Sequence, residues 1–222
     1  MEIKVVRKVL DVNDTLAEQN RKLFAENNIF VLNVMSSPGS GKTATLVKTI
    51  HQLMPEIRTA VIVGDVSTTH DAVRLATTGV PVTQVNTDAF GGDCHLAAHV
   101  ISKAVEDFSL QNIDFLIVEN VGNLVCPAEF DIGEDAKAVI LSVTEGEDKP
   151  LKYPLMFRVC DAAILNKIDL LPYLDYDKDE AVRNILQIHP GIPVFELSAR
   201  TGEGLDNWLG WLRERVKEKL KR

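Results

Sequence analysis

Residues 36–43 read SSPGSGKT. A continuous apolar run, IFVLNVMS (29–36), leads into them, and a helical pattern follows from about Lys42 to Leu53. An unbroken apolar run of this length is what a strand buried on both faces of a parallel sheet requires. A strand, a glycine-rich loop and a helix in that order form the context of the phosphate-binding motif G-x-x-x-x-G-K-[ST]. Gly41, Lys42 and Thr43 fit it, while Ser36 stands where the first glycine belongs. Serine is small enough for the loop entry if its φ is negative. Taken alone, the stretch would also serve as a Gly/Ser turn that binds nothing; its context argues against that.

The rest of the chain repeats the alternation. TAVIVGD (59–65), a short strand near 80–85, FLIVEN (115–120), AKAVILSV (136–143), DAAILNKID (161–169) and PVFELSA (193–199) read as further strands. Helices are expected at 70–77, at 94–108 through Leu96, Val100, Ala104 and Phe108, and from about Gly204 onward. That last helix carries Leu205, Trp208, Leu209, Leu212, Val216 and Leu220 on one stripe, read as core or as a subunit seam. The pattern predicts an α/β fold: a doubly wound, mostly parallel sheet flanked by helices, with ligand loops at the C-terminal strand ends. Residues 11–27 read as a polar helix with a thin apolar face at Leu16, Leu23 and Phe24. The division expected is an N-terminal helical extension over 1–28 and a phosphate-loop domain over 29–222.

Each strand end offers chemistry. In the loop, Gly39 and Gly41 allow backbone N–H groups to turn inward on phosphate oxygens, Lys42 neutralises the β and γ phosphates, and the Thr43 hydroxyl can ligate Mg²⁺. Ser40 and Ala44 complete the expected phosphate contacts at the helix N-terminus. Asp65 and Glu119 end two strands and, with Thr43, are the candidate Mg²⁺ ligands; Lys42, Asp65 and Glu119 are the candidate catalytic groups. ENVG (119–122) reads as a D-x-x-G switch with glutamate for aspartate, Gly122 being placed to sense the γ-phosphate. Asn123 stands where a water-orienting glutamine often follows, so a slow intrinsic rate is expected. Helix capping or a surface loop are the plainer roles for Asp65 and Glu119.

NKID (166–169), at a strand end, resembles the N-K-x-D element of guanine-specific GTPases, though alone it would also serve as a surface loop. An aspartate at position 169 accepts from guanine N1–H and the exocyclic amine, a donor pair that adenine lacks. Lys167 packs its stem along the base and Asn166 ties loops together. Ser198 and Ala199, in the SAR stretch that follows the next strand, are placed to present a backbone N–H to guanine O6. The two elements in order favour GTP, with GDP as product, over ATP.

Three cysteines, Cys94, Cys126 and Cys160, are too few for a disulfide framework. Cys160 reads as a small buried hydrophobe. GGDCHL (91–96) sets Cys94 beside His95, a thiolate and an imidazole that suit Zn²⁺ or Ni²⁺. Two glycines ahead of them give the backbone freedom to aim both at one ion, and two chains around a two-fold axis would complete four ligands. Cys126 lies just beyond ENVG, where nucleotide state could move a ligand. On residue chemistry alone, an accidental Cys-His pair stays equally open. His99 is a spare ligand or merely exposed; His51, His70 and His189 read as surface residues.

A formal net charge of −8 argues against nucleic acid as partner. No apolar run is long enough to span a membrane and no signal peptide is evident, so a cytoplasmic protein with no membrane association is expected.

Taken together, SSPGSGKT, VIVGDVSTTHDAVR, GGDCHLAAH, ENVGNLVCP, SVTEGEDKPLKYP and NKIDLLPY resemble the HypB family of hydrogenase maturation, nickel-incorporation GTPases. The resemblance covers roughly residues 30–200 and includes tolerance of serine at position 36. It implies a GTPase of the signal-recognition/MinD-like (SIMIBI) class that helps deliver nickel to the large subunit of a [NiFe] hydrogenase, alongside another nickel-maturation accessory protein. Lys42, Thr43, Asn166, Lys167 and Asp169 inherit nucleotide roles; Cys94, His95 and Cys126 inherit Ni²⁺ or Zn²⁺ roles. A homodimer promoted by GTP, with the metal near its interface, is implied as well.

The sequence shows neither a histidine-rich stretch nor a cysteine cluster near its start, so transfer rather than nickel storage is the expectation. The urease-type nickel-insertion GTPase is the nearest alternative, but its Cys-Pro-His differs from the directly joined Cys94-His95. A nucleotide-gated scaffold without turnover and a zinc-dependent structural module are the readings from other classes.

Overall fold

The computed structural model describes residues 5–90 and 94–221. Among the described residues seven strands form one sheet: β1 (Phe30–Ser36), β2 (Thr59–Asp65), β3 (Val82–Asn86), β4 (Phe115–Glu119), β5 (Ala136–Ser142), β6 (Ala162–Asn166) and β7 (Val194–Glu196). Their order is β3-β2-β4-β1-β5-β6-β7, and every pairing is parallel. The α/β fold expected from the alternation is therefore present, with no antiparallel member among the described residues. β1 lies between β4 and β5, so its C-terminal end opens beside those of two neighbours, where ligands bind in such sheets.

The helices are α1 (Val5–Glu26), α2 (Lys42–Leu53), α3 (His70–Ala76), α4 (Ala98–Val105), α5 (Cys126–Glu129), α6 (Lys149–Lys152), α7 (Pro154–Val159), α8 (Lys178–Ile188) and α9 (Leu205–Leu220). Alternation along β1 divides the core. Phe30, Leu32 and Val34 face the cluster that includes Leu46, Ile50 and Trp208 from α2 and α9. Val31 joins the opposite cluster with Phe24 and Ile101. The C-terminal stripe is core: Leu205, Trp208, Leu209, Leu212 and Val216 are buried, while Leu220 is exposed. Each such buried side chain stabilises the fold by about 1.5–3 kcal/mol, and Trp208 Nε1 donates to Thr49 Oγ1 at 3.0 Å, so its one polar atom is satisfied.

Three expectations are corrected. The helix expected from residue 94 begins at Ala98; residues 94–97 are non-helical, because Leu96 is drawn into the core and Ala97 is extended (φ −92, ψ 164). The first helix buries Asn13, Ala17, Asn20 and Phe24, whereas Leu16 and Leu23 are only half-buried. Two asparagines can lie on that face because each finds backbone partners there, which offsets the cost of burying an amide. His189, expected at the surface, is half-buried with its Nδ1 3.1 Å from the Phe157 carbonyl oxygen.

Candidate nucleotide and metal site

The phosphate loop leaves β1 at Ser36 and enters α2 at Lys42. Gly41 takes φ +96, and a Cβ there would collide with the Asn166 side-chain amide, so the glycine serves both the turn and a close approach. Ser36, at the anomalous position, donates its hydroxyl to the Ser37 carbonyl at 2.7 Å and accepts from Lys42 Nζ at 3.0 Å. Burial pulls the Lys42 pKa down, opposed by the nearby carboxylates of Glu119, Asp71, Asp65 and Glu145.

A cavity of about 430 Å³ opens over this loop, bounded by Gly39–Ala44, Asp65, Asp71, Arg74 and 119–122. Thr43 Oγ1 donates to Glu119 Oε1 at 2.8 Å, and Glu119 Oε2 is buried with no hydrogen-bond partner. Burial lifts the Glu119 carboxyl to about 7, against the pull of Lys42 and Thr43. Burial also pushes Asp65 up, but hydrogen bonds from the Thr68 hydroxyl and from backbone N–H groups outweigh it and hold that carboxyl low. A hydroxyl, an orphaned carboxylate oxygen and a second carboxylate are the oxygen donors a hard divalent cation takes. Gly122 abuts the loop, for a Cβ on it would lie 3.1 Å from the Pro38 ring.

The residues expected to meet the base line a second cavity of about 560 Å³, among them Ala44, Lys48, Asn166, Lys167, Asp169 and Ala199. Asn166 does tie loops: its Nδ2 donates to the Ser40 carbonyl at 2.9 Å, and its Oδ1 accepts from Ala199 N at 3.1 Å. The Ala199 N–H is thus engaged by Asn166. Lys167 takes φ +65 and donates from Nζ to the Gly39 carbonyl at 2.7 Å, stretching its stem along the cavity. Asp169 Oδ1 accepts from Ser198 Oγ at 2.6 Å, which leaves Oδ2 for a ligand.

At the other flank of 119–122, Cys94 Sγ and Cys126 Sγ come within 2.6 Å of each other, both unbridged and half-exposed. The hydrogen bond with Cys126, then burial, raises the Cys94 pKa. His95 turns its ring onto Phe130, centroids 3.8 Å apart. Among the described residues, no three His, Cys, Asp or Glu side chains gather into a group that could hold a metal ion. Gly91 and Gly92, expected to free the backbone there, lie outside the described residues. Cys160 is fully buried and its thiol pKa is pushed far up by burial, as a core residue should be.

Several residues that shape these sites leave little mark in the sequence. Asp71 and Arg74 line the phosphate cavity, and their spacing on the helix after Asp65 was the available signal. Glu145 accepts from Ser37 Oγ and, at 3.1 Å, from Ser142 N. Asn120 is buried between the two sites, and nothing in its local pattern marks it.

The CobW/HypB/UreG nucleotide-binding domain family matches residues 30–196. Hydrogenase maturation factor HypB of Escherichia coli (strain K12) is 50% identical over 204 residues, covering 92% of this chain and 69% of that protein. The chain belongs to the HypB family. A crystal structure of HypB from Helicobacter pylori in complex with nickel is 36% identical, covers 94% of this chain and 96% of that one, and superposes with a TM-score of 0.86. The signal recognition particle receptor FtsY of Elizabethkingia anophelis shares the fold at 18% identity (TM-score 0.57), over 95% of this chain and 73% of its own. The HypB motifs thus sit on a parallel-sheet, phosphate-loop fold that FtsY shares. Among the described residues no helix is long and apolar enough to cross a membrane.

Proposed function

We propose that the chain is a slow GTPase whose nucleotide state gates nickel on its way into the large subunit of a [NiFe] hydrogenase. Asp169 selects guanine, Lys42 meets the β and γ phosphates, and Thr43, Asp65 and Glu119 hold Mg²⁺. The bound cation would neutralise charge on the phosphates. Asn123 fits a slow rate: its Oδ1 accepts from Val125 N at 2.8 Å and its amide turns toward the Cys94 carbonyl, away from any water-orienting role.

The observation that carries the reading is the meeting of Cys94 and Cys126 at the loop that begins with Glu119. One chain brings two thiols together, while a thiolate–imidazole site of the zinc or nickel type needs about four donors. A second copy, drawn in by GTP around a two-fold axis, supplies the remainder from the same Cys94, His95 and Cys126. Each thiol must shed its proton to ligate. A second nickel-maturation protein is then the natural donor or acceptor of the cargo.

The test is nickel stoichiometry across a size-exclusion peak with a non-hydrolysable GTP analogue. One nickel per dimer is expected, lost in Cys94→Ala and weakened in Cys126→Ala. One tightly held ion per monomer, indifferent to Cys94→Ala, would overturn the shared site. Phosphate release in a single turnover separates a GTPase from a scaffold: none over hours, with Mg²⁺ present, favours the scaffold.

A further inference from the structure

We propose that Asn120 and Asn123 are positioning residues that carry the state of the nucleotide loop to the metal-binding segment, against a fixed anchor made by Asn13 and Asn20. The proposal rests on the GTP-gated nickel reading above. Residues 94–98 have no helix or strand to hold them before Ala98. Their backbone is held by side-chain amides from two sides. On the nucleotide side, Leu96 N donates to Asn120 Oδ1 at 3.0 Å, and Asn123 Nδ2 reaches the Cys94 carbonyl at 3.5 Å. On the α1 side, Ala98 N donates to Asn13 Oδ1 at 2.9 Å and Asn20 Nδ2 donates to the Ala98 carbonyl at 2.9 Å.

The orientation of Asn120 is forced. An N–H can only donate, so Asn120 must show its oxygen to Leu96 and to Val121 N. Its amide then turns to Asn33 Oδ1 at 3.1 Å, and the Asn33 amide passes on to Glu134 Oε1 at 3.2 Å. Asn33 and Asn120 are 0% and 1% exposed, so no bulk water can replace a broken link. Each link left unmade would cost a buried polar group its only compensation.

The two sides differ in what can move them. Asn120 follows Glu119 directly and precedes Gly122, which abuts Pro38 of the phosphate loop. Displacement of 119–122 by a γ-phosphate must pull on Leu96, next to His95 and two residues from Cys94. Asn13 and Asn20 have no direct tie to that loop: their other partners are the carbonyls of Asp131 and Ile132 and the Ser102 hydroxyl, and they reach Asn120 only at a distance, through Ile132, Glu134 and Asn33. The metal-binding segment therefore pivots on Ala98 when the nucleotide loop shifts.

The experiment measures nickel affinity by chelator competition, with GDP and with a non-hydrolysable GTP analogue, in wild type, Asn120→Ala, Asn123→Ala and Asn13→Ala. In wild type the two affinities should differ by about tenfold, within the usual range of allosteric coupling. Asn120→Ala should bring the ratio to within about twofold of one. Asn123→Ala should reduce it. Asn13→Ala should weaken nickel in both states by one common factor and keep the wild-type ratio, as loss of a static anchor must. A folded Asn120→Ala with the wild-type ratio overturns the proposal. Should Asn120→Ala fail to fold, Asn123→Ala at the half-buried rim decides: a reduced ratio supports it and an unchanged ratio overturns it. A wild-type ratio of one overturns the gating reading and this proposal together, whereas coupled wild type with coupled variants removes the asparagines alone.

Discussion

Thr43 Oγ1 donates to Glu119 Oε1 across 2.8 Å, joining the first turn of α2 to the last residue of β4. The bond satisfies one carboxylate oxygen and leaves the other buried without a partner. Half-satisfied and desolvated, the Glu119 carboxyl keeps its proton to about pH 7.

That retention predicts a pH effect on the nucleotide-free protein. Below about pH 4.5 both folded and unfolded chains carry the Glu119 proton; from there to about 7 only the folded chain does. The stabilising contribution is thus complete at low pH and is lost as pH rises through about 7. It amounts to about 3 kcal/mol, or roughly 6–12 °C of melting midpoint. Glu119→Gln should flatten this part of the profile, the remaining slope coming from groups such as Glu134, whose pKa burial also raises. Thermal melts at stepped pH check it, and parallel profiles for the two proteins would count against it.

Guanine selection should fail at one position. Asp169→Asn exchanges an acceptor for a partial donor opposite N1–H and the exocyclic amine. Two hydrogen bonds to a charged group are lost, about 3 kcal/mol or more, so GTP affinity should drop by roughly two orders of magnitude. Xanthine nucleotides, which present an acceptor there, should gain. Competition between the two nucleotides reads the exchange directly; an unchanged GTP preference would place base recognition elsewhere.

A third expectation concerns the seat of α1. Gly133 takes φ +91, and a Cβ on it would lie 2.7 Å from the Ala17 carbonyl oxygen and 2.8 Å from Arg21 N. Gly133→Ala meets helix backbone rather than a yielding side chain and adds a positive-φ penalty of about 1–2 kcal/mol. The variant should lose about 2–4 kcal/mol in denaturant unfolding. A loss under 0.5 kcal/mol would mean that α1 shifts freely on its seat.

What the sequence shows and hides follows from the kind of signal each residue leaves. The phosphate loop and NKID are short, contiguous and tied to strand ends, so Lys42, Thr43, Asn166 and Asp169 could be named before any coordinates. Cys94 and Cys126 were grouped from the sequence as candidate ligands, but their direct contact was not legible, because the fold brings together residues from two separate loops. Asn13, Asn20, Asn33 and Asn120 were illegible for a physical reason. Hydrophobic periodicity marks faces by apolar residues, and an asparagine that is buried because it bonds to distant backbone leaves no periodic trace. The late start of α4 belongs with them, since Ala98 N is capped by Asn13 from another helix rather than by a neighbour in sequence.

Asn33 has a second consequence, for assembly of the sheet. β1 is flanked by β4 and β5 and is apolar almost throughout, so sequence alone sets its alignment weakly. A slip of one residue would turn every side chain to the opposite face. It would carry the Asn33 amide away from Asn120 and Glu134 and into the apolar side that holds Leu46 and Ile50. Stranding an amide there costs about 2–7 kcal/mol, comparable to the net stability of a whole domain. One polar residue in the central strand therefore makes the misaligned sheet untenable, and the phosphate loop is delivered at the height where Asp65 and Glu119 end.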